Sequence, residues 1–142
     1  LPWLRKSNNA SVVNISSTNA YLISQQPISY HVAKAGLVQL TKSLAVELGS
    51  EKIRVNAVCP GLVEKPDRQK PTLSDPLHNQ IIESVVPLQE PCTADQIGAT
   101  VAFLCSDEAQ SITGQSLIVD GGMTLIDQHF ACSRFEKFNR EP

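Results

Sequence analysis

The spacing of apolar positions along the chain divides it into strands and helices. Residues 11–17 (SVVNISS) form a short β-branched run bounded by turn residues, which predicts a strand. Its nearly unbroken apolar character suits a parallel strand covered on both faces. Residues 18–28 contain Pro27 and no charge and predict a loop. In residues 29–49, Ala33, Leu37, Leu40, Leu44 and Leu48 recur three and four apart. That amphipathic stripe predicts a helix with Ser29 as its N-cap and Gly49 as a left-handed stop. Residues 53–59 predict a second strand, ended abruptly by Pro60-Gly61, and strand–helix–strand over this length is the βαβ unit of a parallel sheet.

Beyond it the pattern is more broken. Residues 64–76 hold Pro66, Pro71 and Pro76 with several charges and predict an exposed loop. Residues 78–86 predict a short helix, with Ile81, Ile82, Val85 and Val86 apolar. Thr93-Ala94-Asp95-Gln96 has the form of a capping box and opens a helix carrying Ile97, Val101, Ala102 and Leu104 to about Ser106. Residues 116–119 predict a third strand, closed by Asp120-Gly121-Gly122. Residues 1–6 read as a frayed helical end, and residues 126–142 as a tail without clear periodicity. The expected class is α/β, with about three parallel strands and flanking helices.

Composition narrows the class without naming a chemistry. With 42% hydrophobic and 18% charged residues, the 142-residue chain is long enough for one domain with a real core. A net charge of -2 gives no electrostatic case for nucleic acid or an anionic membrane. No apolar run reaches the length of a bilayer span. Cys59, Cys92, Cys105 and Cys132 are irregularly spaced, and His31, His78 and His129 stand in no ligand spacing, so no metal site is expected. Reduced thiols in a cytoplasmic protein are the plain reading, with mitochondrion and peroxisome left open. The sequence begins with Leu1 and its only methionine is Met123, so the chain is expected to be a piece of something longer.

The chemistry lies at one rim. Tyr30 and Lys34 are four apart on a predicted helix, one above the other on the same face. A phenol and an ammonium are separately poor proton carriers at neutral pH, but a nearby cation favours the phenolate form. Ser17, thirteen positions before Tyr30, ends the first strand, and Pro60-Gly61 ends the next. In an open parallel sheet, ligands bind outside the carboxyl ends of the strands, so these features converge on one crevice.

The motifs VVNISS (12–17), YHVAK (30–34), LTKSLAVEL (40–48), IRVNAVCPG (53–61) and ITGQSLIVDGG (112–122) together resemble the C-terminal half of a short-chain dehydrogenase/reductase. The resemblance covers residues 1–125, leaving 126–142 as a tail, and implies the C-terminal part of a Rossmann-like, doubly wound parallel sheet. It implies NAD or NADP as cofactor, a small-molecule secondary alcohol or ketone as substrate, and a homo-oligomer in the full-length protein. Tyr30 would be the general acid/base. Lys34 would favour its phenolate and hold the nicotinamide ribose. Ser17 would bind the substrate oxygen. Pro60, Gly61 and Val63 would border the nicotinamide, and Thr18 and Tyr21 would line the substrate.

The chain also departs from the family pattern. It has no TGxxxGxG or NNAG segment, and Lys65 stands where the family often has a carboxamide-binding Thr. A helical Asn that often serves catalysis would precede Leu1, and Asn14, on the strand, does not replace it. An alternative is a truncated, inactive member acting only through subunit association.

Ser16 reads as a structural strand-end hydroxyl, Asp120 as a turn former and Cys59 as a small buried apolar residue. Tyr21 and Leu22 suit loop packing as well as substrate contact, and residues 81–86 suit a plain amphipathic helix as well as a lid. Arg134, Lys137 and Arg140, mixed with Glu136 and Glu141, suit a solvated tail. A Ser/His hydrolytic pair through His31 is disfavoured, because adjacent helical residues diverge and no G-x-S-x-G elbow is present.

Overall fold

The computed structural model describes residues 1–64 and 76–140, the last three by backbone alone. Lys65, Pro66, Pro71, the Arg140 side chain and Glu141 lie outside the described residues. Three strands, β1 (Ser11–Ile15), β2 (Arg54–Pro60) and β3 (Ser116–Val119), form a parallel sheet in the order β1-β2-β3. Helix α1 (Ile28–Leu48) links the first two strands; α2 (Pro76–Val85) and α3 (Ala94–Cys105) lie between β2 and β3. A final helix, α4 (Gln128–Arg140), follows.

The central strand decides the layering. Every residue of β2 is buried. Side chains alternate across a strand, and here Val55, Ala57 and Cys59 join the clusters packed by Ala45, Leu48 and Val38 of α1. On the opposite face Arg54 reaches the end of α3. Val55 and Val58 are fully enclosed, and each such side chain stabilises the fold by about 1.5–3 kcal/mol relative to exposure.

Helix α1 turns a different side to the sheet from the one its leucines suggested. The buried positions are His31, Val38, Thr41, Ala45 and Leu48, whereas Ala33 is exposed and Leu40 is 48% exposed. The reason is polar as well as steric. Thr41 Oγ1 accepts a hydrogen bond from Asn14 Nδ2 on β1 (2.9 Å) and donates to Leu37 O (2.8 Å). Small Ala45 and Thr41 permit closer approach than leucine would. The expected start of the helix moves, whereas its end falls at Gly49 as expected but in another conformation. Ser29 makes no cap; Pro27 is the N-cap, and its carbonyl accepts from Tyr30 N (2.9 Å). Gly49 is right-handed (φ -61°) and continues into a 3-10 turn, and the left-handed residue is Lys52 (φ 58°).

Polar side chains stitch the strands to their loops. Arg54, 7% exposed, donates to Leu104 O (2.6 Å), Ser106 O (3.2 Å) and Asn9 Oδ1 (3.1 Å). Its cation therefore closes the carbonyl end of α3, where the helix dipole favours positive charge. Asn56, completely buried, donates to Ile112 O (2.8 Å) and accepts from Gln115 N (3.0 Å), fixing the entry to β3. At the start of α3 the capping box of Thr93 and Gln96 is present in both directions.

The segment after Leu125 is a helix rather than an aperiodic tail. The Asp127 carboxylate caps it by accepting from Phe130 N (2.8 Å), and Arg134 donates to Glu83 O (2.8 Å), tying α4 to α2. Ala131, Phe135 and Phe138 stand four and three apart, a helical spacing that the expectation of an aperiodic tail overlooks.

Two substitutions test this account. Arg54→Met should remove the charge-assisted bonds to the end of α3 and cost about 2–3 kcal/mol in denaturant unfolding. Gly61→Ala should also destabilise, by about 1–3 kcal/mol on the same assay. A Cβ on Gly61 would lie 2.6 Å from Asp120 Cβ and 2.9 Å from Asp120 Cα, so backbone must move.

Candidate active site

The site is built where β1 runs out. Ser16 N still pairs with Val58 O (2.8 Å), then the chain leaves the sheet. Ser16 Oγ donates to Lys34 O (2.8 Å), and Lys34 Nζ returns a bond to Ile15 O (2.8 Å). The two contacts lock the strand end to the second turn of α1. Ser16, read as structural, is 3% exposed.

One helical turn before Lys34 stands Tyr30, 37% exposed. The Lys34 ammonium lies 5.6 Å from the centre of the Tyr30 ring, within the range of a cation–π contact. The expected shared face is therefore realised. Ser17 and Thr18 are buried, 8% and 3% exposed. Ser17 Oγ accepts from Asn19 N (3.1 Å) and caps the 3-10 turn Thr18–Ala20. Since that bond uses one lone pair, the hydroxyl proton remains available to a second acceptor.

Tyr21 lies beside Cys59 and Ser116. Burial pushes its phenol above the ordinary value, opposed by the Ser116 hydroxyl. Burial also pushes the Cys59 thiol up, opposed by Tyr21, the Ser16 hydroxyl, the Ser17 backbone and the Lys34 charge. Cys59 is wholly enclosed and adjoins the site from beneath.

His31 turns away from Tyr30, as adjacent helical residues must. It is 9% exposed, and its ring meets the Tyr30 ring edge-on with centroids 6.4 Å apart. Its nitrogens face Ser24 N (3.0 Å) and Pro27 O (3.1 Å), so neither is directed at Ser17. No local sequence signal marks this structural task of His31.

Pro60 ends β2, and Gly61 N continues the ladder to Val119 O (3.0 Å). Val63 forms a parallel bridge with Cys92, flanked by Cys92 N to Leu62 O and Glu64 N to Cys92 O (both 2.8 Å). Asp120 is more than a turn former. Its carboxylate accepts from Gly122 N (2.8 Å) and Thr124 N (2.7 Å), while its Cα and Cβ pack on Gly61. Gly121 and Gly122 have φ 64° and 88°, and a Cβ on either would meet Val86 or Pro87 below 3 Å. The glycine pair thus lets the end of β3 close on the segment after α2.

A cavity of about 390 Å³ lies at the opposite end of the sheet, lined by Asn8, Asn9, Gly49, Lys52, Ile53, Arg54, Gln110 and Thr113. It includes none of the residues just described and sits at the amino ends of the strands, away from the rim where such sheets bind ligands. Among the described residues no three His, Cys, Asp or Glu side chains are grouped to hold a metal ion, and no helix is long and apolar enough to cross a membrane.

Comparison with known proteins gives this geometry a family. Residues 1–124 match the family model described as enoyl-(acyl carrier protein) reductase. The chain is 34% identical over 125 residues to a 3-oxoacyl-(acyl carrier protein) reductase of Thermotoga maritima, covering 88% of this chain and 50% of that protein. It is likewise 34% identical to a 7alpha-hydroxysteroid dehydrogenase of Bacteroides fragilis, with 88% and 48% covered. Among solved structures it superposes on a 4-hydroxyisoleucine dehydrogenase complexed with NADH with a TM-score of 0.79 and 28% identity, over 89% of this chain and 51% of that one. The chain therefore spans about half the length of the relatives it matches. The parallel sheet, the motifs at its carboxyl rim and these matches together make the chain a member of the short-chain dehydrogenase/reductase family.

Proposed function

We propose that the chain carries the proton-transfer side of an NAD(P)-dependent oxidoreductase that interconverts a secondary alcohol and a ketone. The observation that carries this reading is the Lys34 ammonium, tethered to Ile15 O at 2.8 Å and held 5.6 Å from the Tyr30 ring centre. A nicotinamide supplies or takes the hydride when bound.

This chain's residues manage the proton and the substrate oxygen. The Tyr30 phenol, accessible at the rim, gives its proton to a carbonyl oxygen in reduction and takes one from an alcohol in oxidation. Lys34 sets its positive charge beside the Tyr30 ring. Ser17, with its lone pair fixed by Asn19 N, donates its proton to the same substrate oxygen and stabilises charge there. Thr18 and Tyr21 border the substrate.

The donor set fits the nicotinamide riboside part of the cofactor. An ammonium has three N–H donors and Lys34 uses one on Ile15 O, leaving two for a sugar diol beside the Tyr30 hydroxyl. The backbone of Pro60, Gly61 and Val63 stands at the adjoining strand end. No glycine-rich strand-to-helix turn for the pyrophosphate occurs in the sequence, and that part must be held elsewhere.

A second reading, association with other subunits without catalysis by this chain, is favoured by one observation. Ile28, Val32 and Val46, 83%, 65% and 85% exposed, fall on one side of α1 and leave an apolar stripe in water. The same stripe supports a homo-oligomer under the first reading.

Two measurements separate these readings. Titrated with NADH and NADPH, the 142-residue chain alone should give no micromolar rise in nicotinamide fluorescence; such binding would sink both the split-cofactor argument and the non-enzymatic reading. In the protein extended by its upstream coding sequence, Tyr30→Phe should lower kcat by about 10²–10⁴-fold with little change in nucleotide affinity. Unchanged turnover in that variant would remove the acid/base assignment.

A further inference from the structure

His31 is a buried titratable group next to Tyr30 that the proton-transfer reading leaves unused. Its Nε2 accepts from the backbone N–H of Ser24 at 3.0 Å, and its Nδ1 lies 3.1 Å from Pro27 O. An amide N–H cannot accept and a carbonyl cannot donate. Nδ1 therefore carries the ring proton and Nε2 none, and only this neutral tautomer satisfies both partners.

The two contacts span the loop between the site's serine and its tyrosine. Tyr21 N and Leu22 N both reach Thr18 O, at 2.9 and 3.0 Å, and hold the loop at its start. Further on, Ser24 N has the imidazole as its acceptor, and Ser24 Oγ accepts from Gln26 N at 3.2 Å. At the far end Pro27 O receives both Tyr30 N (2.9 Å) and His31 Nδ1. The ring thus ties the middle of the loop to the first turn of α1. The tied segment carries Tyr21, Leu22 and Ile23, which are 50%, 39% and 89% exposed, and has no charged residue.

The geometry points to His31 as a positioning residue. Through Nε2 it holds Ser24, and with it the apolar Tyr21, Leu22 and Ile23, in a fixed place beside Tyr30, where they form the wall for the unreactive body of an apolar substrate. The role of that wall rests on Ser17, Tyr30 and Lys34 being the reacting groups; the tether itself does not. A histidine here gives an acceptor at the reach of Nε2 and a donor at Nδ1 on one rigid plane. The same engagement keeps both nitrogens from serving as a base for Ser17.

The test reads the tether without turnover. In the ¹⁵N-labelled 142-residue chain, with His78→Gln and His129→Gln variants identifying the other two rings, long-range imidazole spectra should show His31 protonated on Nδ1 and bare on Nε2. The Ser24 amide should exchange with solvent about tenfold more slowly than in His31→Phe, the factor of one lost hydrogen bond. His31→Gln, whose Oε1 can take the place of Nε2, should recover most of that protection. In the upstream-extended protein, His31→Phe should raise KM several-fold for a substrate with an apolar body and leave kcat near wild type. A ring protonated on Nε2, equal Ser24 exchange in wild type and His31→Phe, or no recovery with His31→Gln would each overturn the proposal. Unchanged turnover in Tyr30→Phe would defeat the acid/base reading and leave the His31 tether standing.

Discussion

Two hydrogen bonds running in opposite directions between the end of β1 and Lys34 hold the rest of the site in place. Ser16 Oγ gives to the Lys34 carbonyl and Lys34 Nζ gives to the Ile15 carbonyl. The first fixes the helix backbone against the strand; the second fixes the direction of a long, otherwise mobile side chain. A lysine ammonium left free samples many rotamers, and ordering it costs up to about 2 kcal/mol of side-chain entropy. Here that cost falls on folding rather than on binding. The ammonium is already placed over the Tyr30 ring before any ligand arrives, the kind of preorganisation that makes an electrostatic contribution effective.

The same constraint explains which face of α1 meets the sheet. With Lys34 O and Nζ both tied to the strand end, the helix cannot rotate freely, and His31, Val38, Thr41 and Ala45 fall inward. Leucine spacing suggested another side because it counts apolar bulk alone. It could not show that Asn14 would offer a hydrogen bond to Thr41, or that Ala45 would admit close packing. The outcome leaves Leu40 and Val46 exposed, on different sides of the helix.

Much of the architecture was nevertheless legible. β3 falls on residues 116–119 as its short apolar run between glycines implied, and the capping box at Thr93 is formed as its spacing required. These are local signals, set by neighbouring residues alone. What escaped reading was non-local. Helix α4 depends on the Asp127 cap and on Arg134 reaching Glu83, fifty-one positions away. The site divides in the same way. Tyr30 and Lys34 could be paired from their spacing, while the tether of Lys34 to Ile15, the two-ended use of His31 and the packing of Gly61 on Asp120 belong to tertiary structure.

One asymmetry in the sheet bears on how firmly this arrangement is held. β2 is buried along its whole length between two neighbours, but β1, whose last carbonyl anchors Lys34, pairs with β2 alone among the described residues and is only half-buried. Ile15 itself is 45% exposed. A parallel edge strand presents unpaired N–H and C=O groups to solvent and frays more readily than a central one. The groups that position the ammonium therefore sit on an edge strand of the sheet rather than on its buried centre. Any strand added along the free edge of β1 would stiffen Ile15 and Ser16 directly, and through their two bonds would stiffen Lys34 and the turn carrying Tyr30. The placement of Lys34 and the pairing of the free edge of β1 are thus linked through one short strand.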